Sequence, residues 1–106
     1  TARARELMYT AERVGSKRCE EMGLINRVVP DTDLQAEAWS MATRLAKGPS
    51  LAFREMKANL NDALEMNFLA ALDGEATRLV PLARTDDHKE AVAAFKEKRE
   101  PNFTGR

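Results

Sequence analysis

The side chains able to do chemistry in this chain stand mostly alone. Nucleophilic catalysis needs a nucleophile, a base and an orienting group within reach of one another. The chain has one histidine, His88, and one cysteine, Cys19. They lie about 70 residues apart, with no partner at metal-ligand or dyad spacing. His88 falls in the first turn of a polar helix start and reads as a solvated surface residue. Cys19, beside Arg18 and Glu20, reads as a small buried thiol, the usual state of free cysteine. The pairs Glu20-Glu21 and Asp86-Asp87 are adjacent in sequence. On a helix they point about 100° apart, so they read as capping and solvation, not as a shared acid–base site. The five glycines are scattered and form no phosphate-binding loop. The sequence therefore yields no catalytic residue and no metal site.

One constellation carries more. Phe95 and Lys98 are three apart near the chain's end, a spacing that puts them on one helix face. A ring with an ammonium beside it can stack a purine base and meet a phosphate. On spacing alone the plainer reading is favoured, with Phe95 as core and Lys98 as a solvated charge, because such pairs are common on amphipathic helices.

The elements that position these residues read as helices. Ala2 to Thr10 is rich in helix formers, with Leu7 and Met8 as its apolar pair. Ala11 to Gly15 is a loop. Ser16 is expected to cap a short helix to Met22, with Glu20 inside it, and Gly23 to end it. Leu24 to Pro30 is the one β-like stretch, an edge or isolated extended segment with no second strand to pair with. Asp31-Thr32-Asp33 caps a longer helix with Leu34, Ala38, Met41, Ala42 and Leu45 in one stripe, broken by Gly48-Pro49.

Ser50 opens the next helix, with Phe53, Met56, Leu60 and Leu64 on one face. Asn67 caps another, with Phe68, Leu72, Ala76, Leu79 and Ala83 in register and Pro81 bending or breaking it near its end. Thr85 is the N-cap of the last helix. Asp86 and Asp87 sit in its first turn, Ala91, Val92 and Phe95 form its apolar face, and Lys96, Lys98 and Arg99 lie toward its end. Pro101 stops it, and Asn102 to Arg106 is a tail. The fold class is all-α, with five to six short helices and one short extended segment.

Composition narrows the function. Lys+Arg and Asp+Glu are 17 each, for a formal net charge of zero, where a dedicated nucleic-acid binder would show a basic excess. No apolar run approaches the roughly 20 residues of a membrane span. A single cysteine makes no internal disulfide and suits a reducing, cytoplasmic compartment. The start, Thr1-Ala2-Arg3-Ala4-Arg5-Glu6, has neither a methionine nor a signal-peptide stretch, and the expectation is a fragment of a longer protein.

Three stretches, in order, resemble the C-terminal third of the crotonase family of enoyl-CoA hydratases and isomerases. Leu7 to Val14 followed by Gly23 to Pro30 resembles the family's "LLLTG..I...EA...GLVN.VVP". Lys57, Leu60 and Asn61 match a loose "A...K..LN". Thr85-Asp86-Asp87, Glu90 and Ala94 to Phe103 closely match "T.D..EG..AF.EKR.P.F". Ala11 and Ala91 stand where the family usually has glycine, and Pro81 lies outside the pattern.

The resemblance implies that residues 1–106 are a C-terminal helical oligomerisation and lid region, with the N-terminal catalytic core absent from the chain. It implies a parent enzyme, an enoyl-CoA hydratase or isomerase acting on acyl-CoA thioesters without a further cofactor. The chain alone is expected to be inactive. These helices would serve subunit assembly, as trimer or hexamer, and closure of the CoA site. The family's Phe and Lys of "AF.EKR" reach the adenine end of CoA bound to a neighbouring subunit, and these correspond to Phe95 and Lys98. The alternative is a stand-alone helical oligomerisation module without catalysis.

Overall fold

A computed structural model describes residues 2–106. Among the described residues six helices form and no strand. They are α1 (Ala2–Thr10), α2 (Ser16–Glu21), α3 (Leu34–Ala46), α4 (Ser50–Asp62), α5 (Phe68–Leu82) and α6 (Asp86–Glu97). The chain divides into two compact units, Thr1–Trp39 and Ser40–Arg106.

In the first unit, side-chain-to-backbone bonds do much of the joining. Arg3 donates to the carbonyl of Met22 at 3.2 Å, tying α1 to the end of α2. The half-buried Cys19 thiol lies 3.9 Å from the Val14 carbonyl. The residue at the N-cap of α2 is Gly15, and no side chain caps the helix there; Ser16, expected as the cap, is already helical. The C-terminal glycine behaves as expected. Gly23 has φ +77°, and the amides of Gly23 and Leu24 return to the carbonyls of Glu20 and Cys19, both at 2.9 Å. This is the paired return of a Schellman motif, which needs a left-handed residue at that point.

The segment 24–30, expected to be extended, bends at residues 24–26 and forms no ladder. Its amides must find other partners, and Glu20 supplies one: its carboxylate accepts from the Val28 N–H at 3.0 Å. Glu20 therefore braces the following loop, not the helix start that the sequence pattern proposed for it. Arg27 pairs with Glu37, in the first turn of α3, at 2.5 Å.

Ala11 carries a local strain. Its φ is +49°, immediately after α1, where the family motif carries glycine. A side chain in this region meets the following carbonyl, at a cost of about 1–2 kcal/mol.

In the second unit α4 and α5 pack on one another. Arg78 of α5 reaches back to α4. It donates to Asn59 at 2.6 Å, pairs with Asp62 and lies 3.7 Å from Glu55. All three ion-pair members are less than one-third exposed, so this network joins the helices more firmly than a solvated surface pair would. At the entrance to α4, Gly48 leaves room for the Phe53 ring, which a Cβ there would overlap. Asn67 caps α5 by accepting from the Ala70 N–H at 3.0 Å. Pro81 lies one residue before the end of α5. The chain then tightens through bonds from Arg84 to Pro81 and from Thr85 to Leu82, each 3.1 Å.

Thr85 closes one helix and opens the next. Its hydroxyl donates to the Leu82 carbonyl at 2.7 Å and accepts from the His88 N–H at 3.1 Å. The buried stripe of α6 is not the expected one. Asp87 (4% exposed) and Ala94 (1%) are buried, and Ala91 between them is half-buried; Val92 and Phe95 face outward. The tail accounts for Asp87: residues 102–106 fold back along α6, and their amides take a hydrogen-bond acceptor there. Asp87 accepts from the amides of Thr104 (2.7 Å) and Gly105 (3.0 Å), while its own amide donates to the Arg106 carbonyl at 3.0 Å. Asp87 is thus a buried acceptor for three donors, counting the Thr104 hydroxyl at 3.5 Å, and not a solvated capping charge.

Glu90, one turn on, does the same for the residues between. Its carboxylate takes two bonds from the Arg99 guanidinium, at 2.6 and 2.9 Å, and a third from the Asn102 amide at 2.8 Å. These donors, Arg99 first, hold its pKa down from 4.5 to about 2.

Two outcomes follow from these geometries. Ala11→Gly should raise stability by on the order of 1 kcal/mol, because relief of the left-handed strain exceeds the added chain entropy; the urea midpoint checks it, and an unchanged or lower midpoint counts against it. The Glu90 contacts should be pH-dependent in one direction. Its folded pKa is depressed, so their contribution is present above about pH 4.5 and is lost as pH falls toward about 2. Amide exchange at Asn102 should accelerate relative to its intrinsic rate across that window, and Glu90→Gln should remove this acid limb.

Candidate functional site

The candidate site lies at the C-terminal end of α6. Its helical part is built by good formers, Ala91 to Glu97, after a capped start. Charge follows the helix dipole, with Asp86 and Asp87 in the first turn and Lys96 in the last. Asp86 pairs with Lys89 at 2.8 Å, and that bond holds its carboxyl below the ordinary range.

Phe95 occupies the last turn and is 83% exposed. Within residues 2–106 the ring therefore joins no core. A large aromatic left open on a helix is a binding surface without a ligand or a packing surface without a partner. Lys98 is also exposed, but it has left the helical path. It sits in the left-handed region, φ 54° and ψ 41°, as the cap of α6. The i,i+3 rule that gave Phe95 and Lys98 a common face applies only inside a helix, so their relation rests on the cap geometry instead. That geometry is tight: the Lys98 amide returns to Phe95 at 3.3 Å and the Arg99 amide to Ala94 at 3.0 Å.

Beyond Lys98 the Arg99 guanidinium swings back over α6 to Glu90, and also meets Glu97 at 2.6 Å. These carboxylates push the Arg99 pKa upward. Asp87, Glu90 and Arg99 are the residues that the sequence reading did not single out for this site. The available signal was the run Asp87–Glu90–Arg99 within the third family-like block, two carboxylates one turn apart followed by a fork able to bridge back.

His88 is exposed on the first turn of α6, and Cys19 belongs to the first unit. Among the described residues no group of three His, Cys, Asp or Glu is disposed to hold a metal ion. None of their helices is long and apolar enough to cross a membrane. A cleft of about 220 Å³ opens beside α6, lined by Leu51, Met56, Leu79, Leu82 and Ala91 among others. It is mainly apolar, with Thr85, Asp87 and His88 along its α6 side. Ala91, where the family motif has glycine, lines this cleft without obstructing the helix.

Known proteins agree with the pattern. The family profile described as enoyl-CoA hydratase/isomerase matches residues 1–106. A probable enoyl-CoA hydratase of Rhodobacter capsulatus is 40% identical over 105 residues, covering 99% of this chain and 41% of that protein. A crotonyl-CoA hydratase of Syntrophomonas wolfei is 34% identical over 100 residues, covering 94% of this chain and 38% of its own length. Among solved structures, an enoyl-CoA hydratase from Bacillus anthracis superposes with a TM-score of 0.92 at 31% identity, over 100% of this chain and 41% of that one. One from Polaromonas gives 0.90 at 30% identity, over 98% and 40%. The chain thus spans about two-fifths of the length of the relatives it matches. Its helical architecture and its sequence together make it a member of the enoyl-CoA hydratase/isomerase family, the crotonase superfamily.

Proposed function

We propose that residues 1–106 are the C-terminal helical region of an acyl-CoA hydratase or isomerase, where they serve subunit assembly and closure of the CoA site. The observation that carries this reading is Phe95. A ring 83% exposed at the end of a well-capped helix, followed by the exposed Lys98, occurs within the block that most closely matches the family. In this reading Phe95 stacks on the adenine of an acyl-CoA bound to a neighbouring subunit, and Lys98 meets a phosphate of the same molecule. The substrate is a CoA thioester, and no further cofactor enters.

Assembly is supported by the apolar faces. Met56 and Leu60 of α4, Leu64 just past its end, and Phe68, Leu72 and Leu79 of α5 are all exposed. Large contiguous faces of this kind mark interaction surfaces, and a homo-oligomer is the partner this reading gives them. In this reading the reacting groups belong to the rest of the protein, since no oxyanion hole and no catalytic carboxylate pair can be placed among these residues. Purified chain 1–106 is accordingly expected to show no turnover of crotonyl-CoA above background; clear turnover would place catalytic groups within it.

The full-length protein tests the CoA contacts. Phe95→Leu should raise KM for acyl-CoA by roughly five- to a hundredfold, the equivalent of about 1–3 kcal/mol for a stacked base. Lys98→Ala should raise it by about two- to fivefold at low salt and hardly at all at high salt, because a wet ion pair is screened. Neither should move kcat, as expected for interactions that ground and transition states share. Acyl-pantetheine, which lacks the adenine end, should sense neither change. If Phe95→Leu harms both substrates alike or unfolds the protein, the ring is a packing residue.

A further inference from the structure

We propose that Glu90 is a positioning residue for acyl-CoA, acting through Lys98 by holding the chain reversal at the end of α6. This rests on the reading of Lys98 as a CoA contact and extends it to a residue that touches no ligand. The starting observation is the backbone. Lys98 adopts a left-handed conformation that glycine ordinarily fills at a helix end. A lysine there is strained, and such residues persist only where the surroundings over-determine them.

The surroundings here can be named. Immediately after Lys98, the Arg99 fork closes on both oxygens of Glu90, at 2.6 and 2.9 Å, and three residues on, the Asn102 amide closes on the same carboxylate at 2.8 Å. One carboxylate thereby fixes the chain on the far side of the reversal at two points. Lys98 is held on the near side by the Phe95 carbonyl. Pinned on both sides, its backbone has one conformation, and the ammonium departs from a fixed Cα.

The geometry is charge-specific. Glutamine at position 90 keeps an acceptor for Asn102 but loses the bidentate partner of Arg99. Lysine at position 99 keeps the charge but not the fork. Glycine at position 98 would relax the strain and discard the ammonium. The arrangement therefore separates fold stability from ligand affinity. Lys98→Gly should stabilise the cap while weakening acyl-CoA binding, the reverse of what a purely structural residue would show.

The test uses the full-length protein with Lys98→Ala, Glu90→Ala, Glu90→Gln and the double variant Glu90→Ala/Lys98→Ala, each assayed on acyl-CoA and acyl-pantetheine. Glu90→Ala is expected to raise KM for acyl-CoA about two- to fivefold at low salt, the range of the exposed ion pair it positions. It should leave kcat and the pantetheine substrate unmoved. The double variant should be no worse than Lys98→Ala alone, because a residue acting through Lys98 has nothing left to position. If Glu90→Ala does not fold, Glu90→Gln carries the same expectation with a smaller KM change.

Additive effects of the two substitutions, or equal losses on both substrates, would overturn the positioning role. The two readings fail separately. If Lys98→Ala discriminates between the substrates and neither Glu90 variant does, only the positioning role falls. If Lys98→Ala discriminates between nothing, the CoA contact fails and the positioning role fails with it.

Discussion

Two carboxylates on α6, Asp87 and Glu90, one turn apart, hold the end of this chain in place. Between them they accept from the Arg99 guanidinium and from the amides of Asn102, Thr104 and Gly105. Without these acceptors a strand-like tail with no ladder partner would leave its amides to water. With them, the tail becomes a second layer on the helix. Its return also serves the helix start, since the Asp87 amide, one of the unpaired donors of a first turn, finds the Arg106 carbonyl. Gly105, at φ +76°, comes so near α4 that a Cβ there would lie 3.0 Å from the Ser50 hydroxyl. The same acceptors therefore bring the tail against the start of α4 as well as along α6.

Polar fastening matters here because apolar burial is scarce. Among the described residues the only fully buried apolar side chain is that of Ala94, while Phe68, Leu64 and Trp39 are each more than three-quarters exposed. Burying one such side chain contributes about 1.5–3 kcal/mol. Helices of 6 to 15 residues are marginal by themselves in water, and most helical stability comes from packing an amphipathic face. Here those faces are formed but largely uncovered. The internal joints are instead hydrogen-bonded ones: Arg78 with Asn59 and Asp62 between α4 and α5, Arg3 with Met22 in the first unit, and the α6 carboxylates with the tail. This division fits a segment whose local shape is set from within and whose apolar faces are completed by contact with other chain.

The parts of this organisation that follow from short-range rules were legible in the sequence. Asn67 and Thr85 cap because their oxygens reach amides three residues on, and Gly23 ends α2 because a left-handed residue was required. The misread parts depend on which partner a polar group finds at longer range. Ser16 lost its capping role to a one-residue shift in the helix start. Glu20 was placed at a capping position but bonds to Val28, eight residues on. The segment 24–30 looked strand-like by composition, yet with no second strand the Val28 amide turned to a side chain. In α6 the helical register placed Ala91, Val92 and Phe95 on the apolar face. What the tail needed was an acceptor at Asp87, and no hydrophobic pattern encodes a backbone that folds back.

Two residues with left-handed backbones show why the same local rule has different consequences. Ala11 and Lys98 both follow a helix and both occupy a conformation suited to glycine. Around Ala11 the anchoring is slight: its own amide reaches Leu7 at 3.1 Å, and its side chain is a methyl that contributes nothing glycine would lack. Around Lys98 the chain is bound on both sides, and the side chain is long, charged and exposed. A strained position bearing a dispensable side chain is merely costly. A strained position bearing a charge, held by a carboxylate that must itself be ionised, trades stability for the fixed placement of that charge. Glycine would relieve the strain at both positions, but at 98 it would also remove the ammonium on which the proposed CoA contact depends.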